Sequence, residues 1–385
     1  MSSLTIWERV SLFPRFLPLP GVLLYTALAS FFSKSYKGRK LYRIIFEAAG
    51  RYVTRVATVS QLQWVSGSTL EMYETWAKKR GVSPVVEKVR VSEGEEVNLY
   101  WIGDKEAEQV LIYIHGGGFM LPISDFMFTF WDLVHQGMKK RSDCNCNFSI
   151  AVLDYSLHPA TFPNQLRELI QTINHCLLKN PRETSSNLKL HLAGDSCGAN
   201  IILQLISHTF HPIPGIPPSP LRSFGTGTPR PPLIRSVLLI SPWTSLDEES
   251  PSQTMNTTDA LDARTLRRWG AMYVSGIPSG SGFDYVPYVK IHKAPADWLD
   301  GVDMHRVLGR VMITTGTAEC LLDDAEVVYE LLKRHSGRGL EVRMDVEEGG
   351  IHDDPIFDIG AGSRQLNDVG ERMVDWLVES CRRCQ

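Results

Sequence analysis

A short motif between a predicted strand and a predicted helix constrains the fold of this chain more than any other feature. Residues 188–193 alternate in polarity and end apolar, as a buried strand does, whereas residues 199–206 carry apolar side chains at helical spacing. Between these segments lies the sequence GDSCG, residues 194–198. A G-x-S-x-G motif at a strand-to-helix turn holds its serine in a strained, exposed position, and a Cβ at either glycine would collide with neighbouring backbone. We therefore predict that Ser196 is a nucleophile.

Predicted strands and helices alternate along the chain on both sides of this motif. Strands are predicted at residues 86–91, 97–101, 110–114, 148–153, 188–193, 234–240, 310–315 and 340–346, and helices at about 126–139, 163–178, 199–206, 261–273, 323–335 and 365–381. The first two strands read as a hairpin, and strands that alternate with helices favour a mostly parallel sheet with helices on both faces. The predicted fold class is therefore α/β.

The regions outside this alternation predict a cap. Residues 1–82 are expected to form an apolar N-terminal segment and cap helices, because residues 40–82 repeat apolar side chains every three or four positions, and residues 83–385 are expected to form the catalytic domain. Residues 211–233 contain eight prolines and no periodicity, which predicts a mobile surface loop or a lid segment. A cap insertion is predicted at about residues 245–300, including the helix at 261–273.

Composition narrows the function classes. A formal charge of −3 and a pI near 6.4 offer no electrostatic basis for binding nucleic acid. Seven cysteines lack the spacing of a disulfide framework, which favours a reduced, intracellular compartment, either the cytoplasm or the cytoplasmic side of the endoplasmic reticulum membrane. Nothing in the sequence calls for a metal or an organic cofactor, and no oligomeric state is predicted.

The N-terminal segment 16–32 is strongly apolar and leaves two interpretations open. Pro18 and Pro20 limit an unbroken helix to about a dozen residues, fewer than the roughly 20 that cross a bilayer. Five basic residues follow between positions 34 and 43, and an apolar helix with a cationic flank suits insertion at a membrane surface. A cap helix packed on the enzyme is the alternative.

The sequence HGGGF begins immediately after the predicted strand at 110–114. Consecutive glycines let the backbone approach a substrate and turn amide donors inward, which is what the stabilisation of an oxyanion requires. We predict that the amides of Gly117, Gly118 and Cys197 form an oxyanion hole. His115 and Gly116 are expected to support this loop without transferring protons.

A base and an acid are predicted in the loops that follow the last two strands. His352 is the histidine that follows the final strand, and the loop after the preceding strand offers Glu319, Asp323 and Asp324. We predict that Glu319 orients His352, because Asp323 resembles the N-cap of the next helix and Asp324 its first turn, with Asp323 as the second choice. The order serine, acid, histidine is that of the α/β-hydrolases. In this scheme His352 deprotonates Ser196, and water resolves the acyl-enzyme.

Four segments, HGGGF, DYSLHPATFPNQL, GDSCGAN and EEGGIHDDPI, resemble the hormone-sensitive-lipase branch of the α/β-hydrolases from about residue 86 onward. Within that branch, ISPWTSL, APADWLDGVDMHRVL and GTAECLLDDAEVVYELL are most similar to fungal steryl acetyl hydrolase-like proteins. This resemblance implies a serine esterase with a helical cap that acts on acetylated sterols or other small lipophilic esters, often with an apolar N-terminal anchor. Ser196, Glu319 and His352 match its triad, and residues 115–118 match its oxyanion motif.

Two departures from that pattern and two competing functions stay open. Cys197 replaces the usual alanine after the serine, and the acid is glutamate where much of the wider branch has aspartate. An acyltransferase or a lactone-forming enzyme of secondary metabolism would use the same acyl-enzyme with a different acceptor. A non-catalytic ligand receptor on the same fold is the third reading, although such a receptor would be free to lose the histidine.

Overall fold

The computed structural model describes residues 4–141, 147–178, 188–224, 232–278, 282–300, 304–336 and 339–383. Within this part of the chain lies one eight-stranded sheet. Its strands are β1 (Val86–Ser92), β2 (Glu95–Ile102), β3 (Gln109–Ile114), β4 (Phe148–Asp154), β5 (Lys189–Asp195), β6 (Ile234–Ile240), β7 (Arg310–Gly316) and β8 (Glu341–Glu347). All eight predicted strands are confirmed, because their apolar runs and turn residues are local signals.

The sheet has the order β1-β2-β4-β3-β5-β6-β7-β8. The β1–β2 and β2–β4 pairs are antiparallel, and all later pairs are parallel. The predicted hairpin and the mostly parallel sheet are therefore confirmed. Parallel strands bring their carboxyl ends to one edge, and every candidate catalytic residue follows a strand at this edge.

Helices cover both faces of the sheet. Those before the first strand are α1 (Ile6–Val10), α2 (Leu12–Phe16), α3 (Leu19–Ser30), α4 (Leu41–Val56), α5 (Val59–Ser66) and α6 (Thr69–Arg80). Those that follow are α7 (Asp125–Arg141), α8 (Asn164–Leu178), α9 (Cys197–Phe210), α10 (Pro251–Met255), α11 (Ala263–Val274), α12 (Val286–Val289), α13 (Met304–Val307), α14 (Leu322–Lys333), α15 (Asp354–Gly360) and α16 (Asp368–Arg382).

The core consists of two layers, one on each face of the sheet. In β3, Val110, Ile112 and Ile114 belong to the layer that α8, α9 and α14 cover. Leu111 and Tyr113 alternate with them and belong to the layer under α7 and α16. The central strand is buried on both sides, which explains why its sequence after Gln109 is continuously apolar rather than alternating.

Helix α4 joins the N-terminal segment to the catalytic domain through buried charges. The Arg43 guanidinium lies 2.7 Å from Asp354 at the start of α15 and 2.8 Å from Glu47 one turn along α4. Arg39 also contacts Glu47, at 2.9 Å. Because removing one member would leave a buried charge without a partner, this network holds α4 in a defined position beside α15.

The helical run at the N-terminus is longer than expected. Pro18 occupies the N-cap of α3, which spans the predicted dozen residues, but α1 and α2 precede it. By length and composition, Ile6–Ser30 could cross a membrane, and about 11% of its most apolar window is buried. Trp7, Phe13 and Phe32 are exposed by 83%, 76% and 90%.

The proline-rich segment 211–233 differs from the expected mobile loop over its described residues, 211–224 and 232–233. Ile213, Ile216 and Leu221 are buried in the larger core layer, and Pro220–Phe224 forms a short 3-10 helix. Apolar anchors among the prolines therefore hold the segment against the protein. No described residue of the segment lines the catalytic cavity. Residues 225–231 lie outside the described residues.

Candidate active site

Ser196 lies at the sharp turn between β5 and α9. Its φ of 51° and ψ of −117° are strained for a residue with a side chain. A Cβ on Gly194 would lie 2.6 Å from the Gly198 carbonyl carbon, and a Cβ on Gly198 would lie 1.9 Å from the oxygen of Ile114. The predicted steric reason for both glycines is therefore confirmed. Backbone hydrogen bonds to Ile240 and Trp243, of 2.9 and 3.1 Å, fix the turn.

Glu319 and His352 form a buried pair at the same edge of the sheet. His352 Nδ1 lies 3.0 Å from Glu319 Oε1. The other carboxylate oxygen, Oε2, accepts hydrogen bonds from Ser241 Oγ, Thr315 Oγ1 and Gly316 N at 3.0, 2.8 and 3.0 Å. These three donors on Oε2 hold the Glu319 carboxylate so that Oε1 faces the imidazole. The contact with Oε1 fixes the tautomer and the orientation of the His352 ring.

The second nitrogen of the His352 ring faces a carboxylate that the sequence analysis did not consider. His352 Nε2 lies 3.1 Å from Asp353 Oδ2. Among the described residues, no hydrogen bond joins His352 to Ser196, although both line one cavity. The structure thus brings Glu319 and His352 into contact and Ser196 into the same cavity, with Asp353 at the nitrogen that would take the serine proton.

Burial and neighbouring charges shift the pKa values of His352, Asp353 and Asp195. Burial alone would lower the pKa of His352, but Asp353 and Glu319 raise that pKa well above its ordinary value. Burial raises the pKa of Asp353, and burial together with repulsion from Asp353 raises the pKa of Asp195 well above its usual range. Two buried carboxyl groups in contact cannot both ionise readily, so their titrations are coupled.

The glycine loop after β3 presents amide groups to the cavity. Gly117 and Gly118 have φ values of 101° and 63°, which glycine adopts without strain. The hydrogen bonds within the described part of the chain use none of the Gly117, Gly118 and Cys197 N–H groups. The three predicted oxyanion donors are thus available as the loop stands.

His115, Gly116 and Tyr155 brace this loop from below. His115 Nδ1 lies 2.6 Å from the Gly116 carbonyl oxygen, and the ring stacks on Tyr155, whose hydroxyl donates to the His115 carbonyl at 2.7 Å. The Gly116 N–H donates to Asp195 Oδ1 at 2.8 Å. Burial lowers the pKa of His115 to about 4, so the ring is neutral and is suited to support rather than to act as a base.

The Cys197 thiol connects the serine turn to the glycine loop. Its sulfur accepts the Phe119 N–H at 3.2 Å and lies 3.5 Å from the Tyr155 hydroxyl. Burial raises the pKa of Cys197 to about 12, so it is a neutral thiol and not a second nucleophile. Alanine at this position would leave the Phe119 amide without this acceptor.

Asp259, in the cap insertion, holds both catalytic loops by their backbone. Its Oδ1 accepts the His352 N–H at 2.9 Å, and its Oδ2 accepts the Cys320 N–H at 2.6 Å. The side chain is fully buried, and burial raises its pKa. No sequence signal marks this residue, because its partners lie 61 and 93 positions away. Ser241 was also missed, although its place directly after β6 could have indicated it.

The alternative acids serve the cap instead. Helix α14 begins at Leu322, so Asp323 is in its first turn and is not the N-cap. The Asp323 carboxylate accepts the Ser252 N–H at 2.7 Å. Asp324 accepts the Thr244 N–H and hydroxyl at 2.6 and 2.7 Å. Neither side chain is brought to His352.

The cavity above these groups has a volume of about 200 Å³ and a mostly apolar lining. Its wall comes from α4, α7, α11, α15 and the segment before α11, with these apolar side chains: Phe46, Phe126, Leu261, Leu266, Trp269, Ile356 and Phe357. The Trp269 ring lies directly over Gly118, where a Cβ would come within 2.4 Å of it. No group of three His, Cys, Asp or Glu side chains that could hold a metal ion occurs among the described residues.

A serine on a strand-to-helix turn, at the carboxyl edge of this sheet, places the chain among the carboxylic ester hydrolases with the α/β-hydrolase fold. The steryl acetyl hydrolase family model matches residues 87–368, well over half of the chain. The chain therefore belongs to the steryl acetyl hydrolase family.

Solved structures of esterases are similar over nearly the whole chain. A mutant of the esterase rPPE has a TM-score of 0.61 at 16% sequence identity, covering 91% of this chain and 98% of that protein. A thermostable esterase from Pseudomonas putida has a TM-score of 0.58 at 17% identity, and the match covers 94% of this chain and 97% of that protein. An esterase of the bacterial hormone-sensitive lipase family has a TM-score of 0.55 at 18% identity, and the match covers 96% of this chain and 98% of that protein. These identities support the shared fold, and the comparison with curated proteins found no match.

Proposed function

We propose that the protein hydrolyses short-chain acyl esters of a lipophilic alcohol, such as a sterol or a secondary metabolite, through Ser196, His352 and Glu319. The observation that carries this proposal is the buried contact of 3.0 Å between His352 and Glu319 in the cavity that also contains Ser196. A carboxylate that orients a histidine beside a serine is the arrangement that activates a hydroxyl nucleophile.

In the proposed mechanism, Ser196 Oγ attacks the ester carbonyl while its proton passes to His352 Nε2. The oxyanion accepts hydrogen bonds from the Gly117, Gly118 and Cys197 amides. The imidazolium, stabilised by Glu319, then delivers the proton to the leaving alkoxide. Water attacks the acyl-enzyme with His352 again as the base, and the acid is released.

The wall of the cavity supports a lipophilic alcohol and a short acyl group. Phe46, Phe126 and Phe357 come from three different helices, and their ring centroids lie 6.0 to 6.3 Å apart. These half-buried rings offer an apolar surface to the alcohol. Trp269 closes the space over Gly118, which leaves little room for a long acyl chain. The family description, steryl acetyl hydrolase, agrees with both features.

The exposed apolar side chains of α1 to α3 support contact with a membrane. Lys34, Lys37 and Lys40 are exposed directly after this segment, so cationic groups would lie near anionic headgroups. We place the catalytic domain inside the cell, on the cytoplasmic side of a membrane that could be the endoplasmic reticulum. The buried thiols of Cys197 and Cys320 suit a reducing compartment.

The membrane proposal can be tested on the full chain with vesicles of phosphatidylcholine and phosphatidylserine. We expect co-sedimentation that is lost in the double variant Trp7→Asp/Phe13→Asp, while hydrolysis of a soluble acetate ester persists. Met255→Asp, which alters an exposed apolar side chain outside this segment, is the matched control. Equal binding by all three proteins would contradict the proposal.

Hydrolysis of p-nitrophenyl esters from acetate to palmitate tests the catalytic proposal. We expect activity that is highest at acetate and falls at least about 10³-fold in Ser196→Ala. Ser149→Ala, a buried serine of β4 outside the cavity, should retain activity. A folded protein that releases p-nitrophenol only when an alcohol acceptor is added, and forms a new ester in place of the free acid, would favour the acyltransferase.

A further inference from the structure

His352 lies between two carboxylates, one on each ring nitrogen. Glu319 contacts Nδ1 at 3.0 Å, and Asp353 contacts Nε2 at 3.1 Å. A neutral imidazole has one N–H, whereas two carboxylate acceptors require an N–H on each nitrogen. When both carboxyl groups are ionised, the observed contacts describe an imidazolium, which cannot take a proton from Ser196.

The backbone fixes Asp353 in this position. Its φ of 51° is in the left-handed region, which is uncommon for a residue other than glycine. The Asp353 N–H donates to Ser241 Oγ at 3.0 Å, and its carbonyl oxygen accepts the N–H groups of Ile356 and Phe357, both at 2.9 Å. Non-glycine residues in this conformation cluster at functional sites, where the surrounding structure maintains the strain.

Asp353 also contacts the residue that precedes the serine. Asp353 Oδ1 is buried and has no hydrogen-bond partner among the described N–H and O–H groups, and the Asp195 carboxyl lies within hydrogen-bonding reach of Asp353. Asp195 Oδ1 already accepts the Tyr113 hydroxyl at 2.5 Å and the Gly116 N–H at 2.8 Å. A proton on the other Asp195 oxygen would satisfy both carboxyl groups.

The charges around His352 indicate which member of the pair is ionised. The acidic groups that face it are Glu319 and Asp353 in the loops after β7 and β8, Asp195 at the end of β5 and Asp259 in the cap. Asp353 is in direct contact with the imidazolium, which favours its ionised form. Asp195 does not contact the ring, so it is the better site for the shared proton.

We propose that Asp353 is a positioning residue that, with Asp195 as its protonated partner, holds the imidazolium of His352 away from Ser196 in a resting state of the enzyme. This inference rests on the proposed role of His352 as the base. Activation requires that the Nε2 proton leave to solvent, after which Nε2 is free to accept the proton of Ser196 Oγ. The glycine loop is coupled to the same group, because Gly116 donates to Asp195.

The charge of Asp353 determines the sign of the pH dependence of kcat/KM. Because Asp353 favours the charged ring, it raises the pH at which His352 becomes neutral, and kcat/KM rises with pH through that value. Asp353→Asn removes the charge, and asparagine tolerates a positive φ. We expect the acid limb of kcat/KM to move to lower pH by about one unit or more.

The same substitution in Asp195 should behave differently. Asp195→Asn replaces a neutral acid by a neutral amide that can still donate to Asp353, so its acid limb should stay close to that of wild type even if kcat falls. Asp358→Asn, on α15 and without contact to His352, is the matched control. An unmoved acid limb in Asp353→Asn, or an equal displacement in Asp195→Asn, would overturn the proposal. If Asp353→Asn does not fold, the Asp195→Asn profile decides.

Two measurements separate this inference from failure of the catalytic proposal, because neither requires activity. Nitrogen-15 NMR titration of labelled histidines, with His352 assigned through His352→Gln, should show its pKa falling in Asp353→Asn. Infrared difference spectra of wild type against Asp195→Asn at pH 7 should show one protonated carboxyl C=O stretch lost. Absence of that band would overturn the shared proton, whether or not the enzyme hydrolyses esters.

Discussion

The polar floor and the apolar wall of the catalytic cavity are constructed in different ways. Ser196, Glu319 and His352 follow strands of the sheet, are nearly fully buried and lie on loops braced by backbone or side-chain hydrogen bonds. Phe46 and Phe126 project from helices that reach the site from the surface, and they are only half-buried. Groups that perform chemistry must be held within a fraction of an ångström, whereas an apolar wall requires only the right shape.

The cap connects these two regions. Arg39 of the N-terminal segment donates to the carbonyl and hydroxyl oxygens of Thr258, and Arg51 of α4 donates to the carbonyl oxygen of Asp259. The Asp259 carboxylate in turn holds the backbone of Cys320 and His352. The wall is therefore continuous with the support of the catalytic loops, and the effects of mutations on the two regions should separate only in part.

The largest effect is expected from Glu319→Gln, which tests the floor alone. A glutamine retains the shape but can present an N–H to His352 Nδ1 and favour the wrong tautomer, so kcat/KM should fall by about 10³- to 10⁴-fold. The matched control is Asp323→Asn, the alternative acid, whose kcat/KM should stay close to that of wild type. Comparable losses in both variants would contradict the assignment of the acid.

Asp259→Asn tests whether the cap supports the floor. Each carboxylate oxygen of Asp259 accepts a backbone N–H. In the asparagine variant the side-chain NH₂ replaces one of these oxygens, so it would face the N–H of either Cys320 or His352. One buried donor left unpaired costs about 1 to 3 kcal/mol of unfolding free energy. We expect kcat to fall by about 10- to 100-fold with little change in KM. Asp262→Asn, which keeps the N-cap of α11, should retain activity. A pure loss of stability with unchanged kcat would limit Asp259 to folding.

Phe46→Ala tests the wall. Removing a half-buried ring should raise KM for a lipophilic acetate ester by about tenfold, since less apolar surface is covered on binding. KM for p-nitrophenyl acetate and kcat for both substrates should change little. Tyr42→Ala, on the exposed side of the same helix, is the control. Equal effects on both substrates would place Phe46 in the support of the floor.

The smallest effect is expected from Cys197→Ala, at the junction of the serine turn and the glycine loop. Loss of the sulfur acceptor of Phe119 should lower kcat by about fivefold, the equivalent of one neutral hydrogen bond. Cys197→Ser restores an acceptor and should recover part of the loss. Equal kcat values for the alanine variant and wild type would show that the loop is held without the thiol.

The sequence alone determined the sheet, the serine turn and the loops in which the acid and histidine lie. These features depend on local signals: the period of apolar residues, and glycines such as Gly198 whose absent Cβ permits contact with β3. The choice of Glu319 rather than Asp323 as the acid also depended on a local signal, the expected start of a helix at Asp323. The exact start of α14, at Leu322, was not predicted. The buried apolar anchors of the proline-rich segment could not be predicted from the sequence, because they have no period.

Only the tertiary structure decided which side chains meet across long stretches of chain. Asp259 reaches His352 over 93 positions, and Arg43 reaches Asp354 over 311. The contact of Asp353 with His352 Nε2 depends on a left-handed backbone conformation at Asp353, which the residue types in this loop do not predict. Periodicity and steric exclusion act within a few residues and can be read from letters, whereas a buried hydrogen bond between distant loops exists only once the whole sheet has brought its carboxyl ends together.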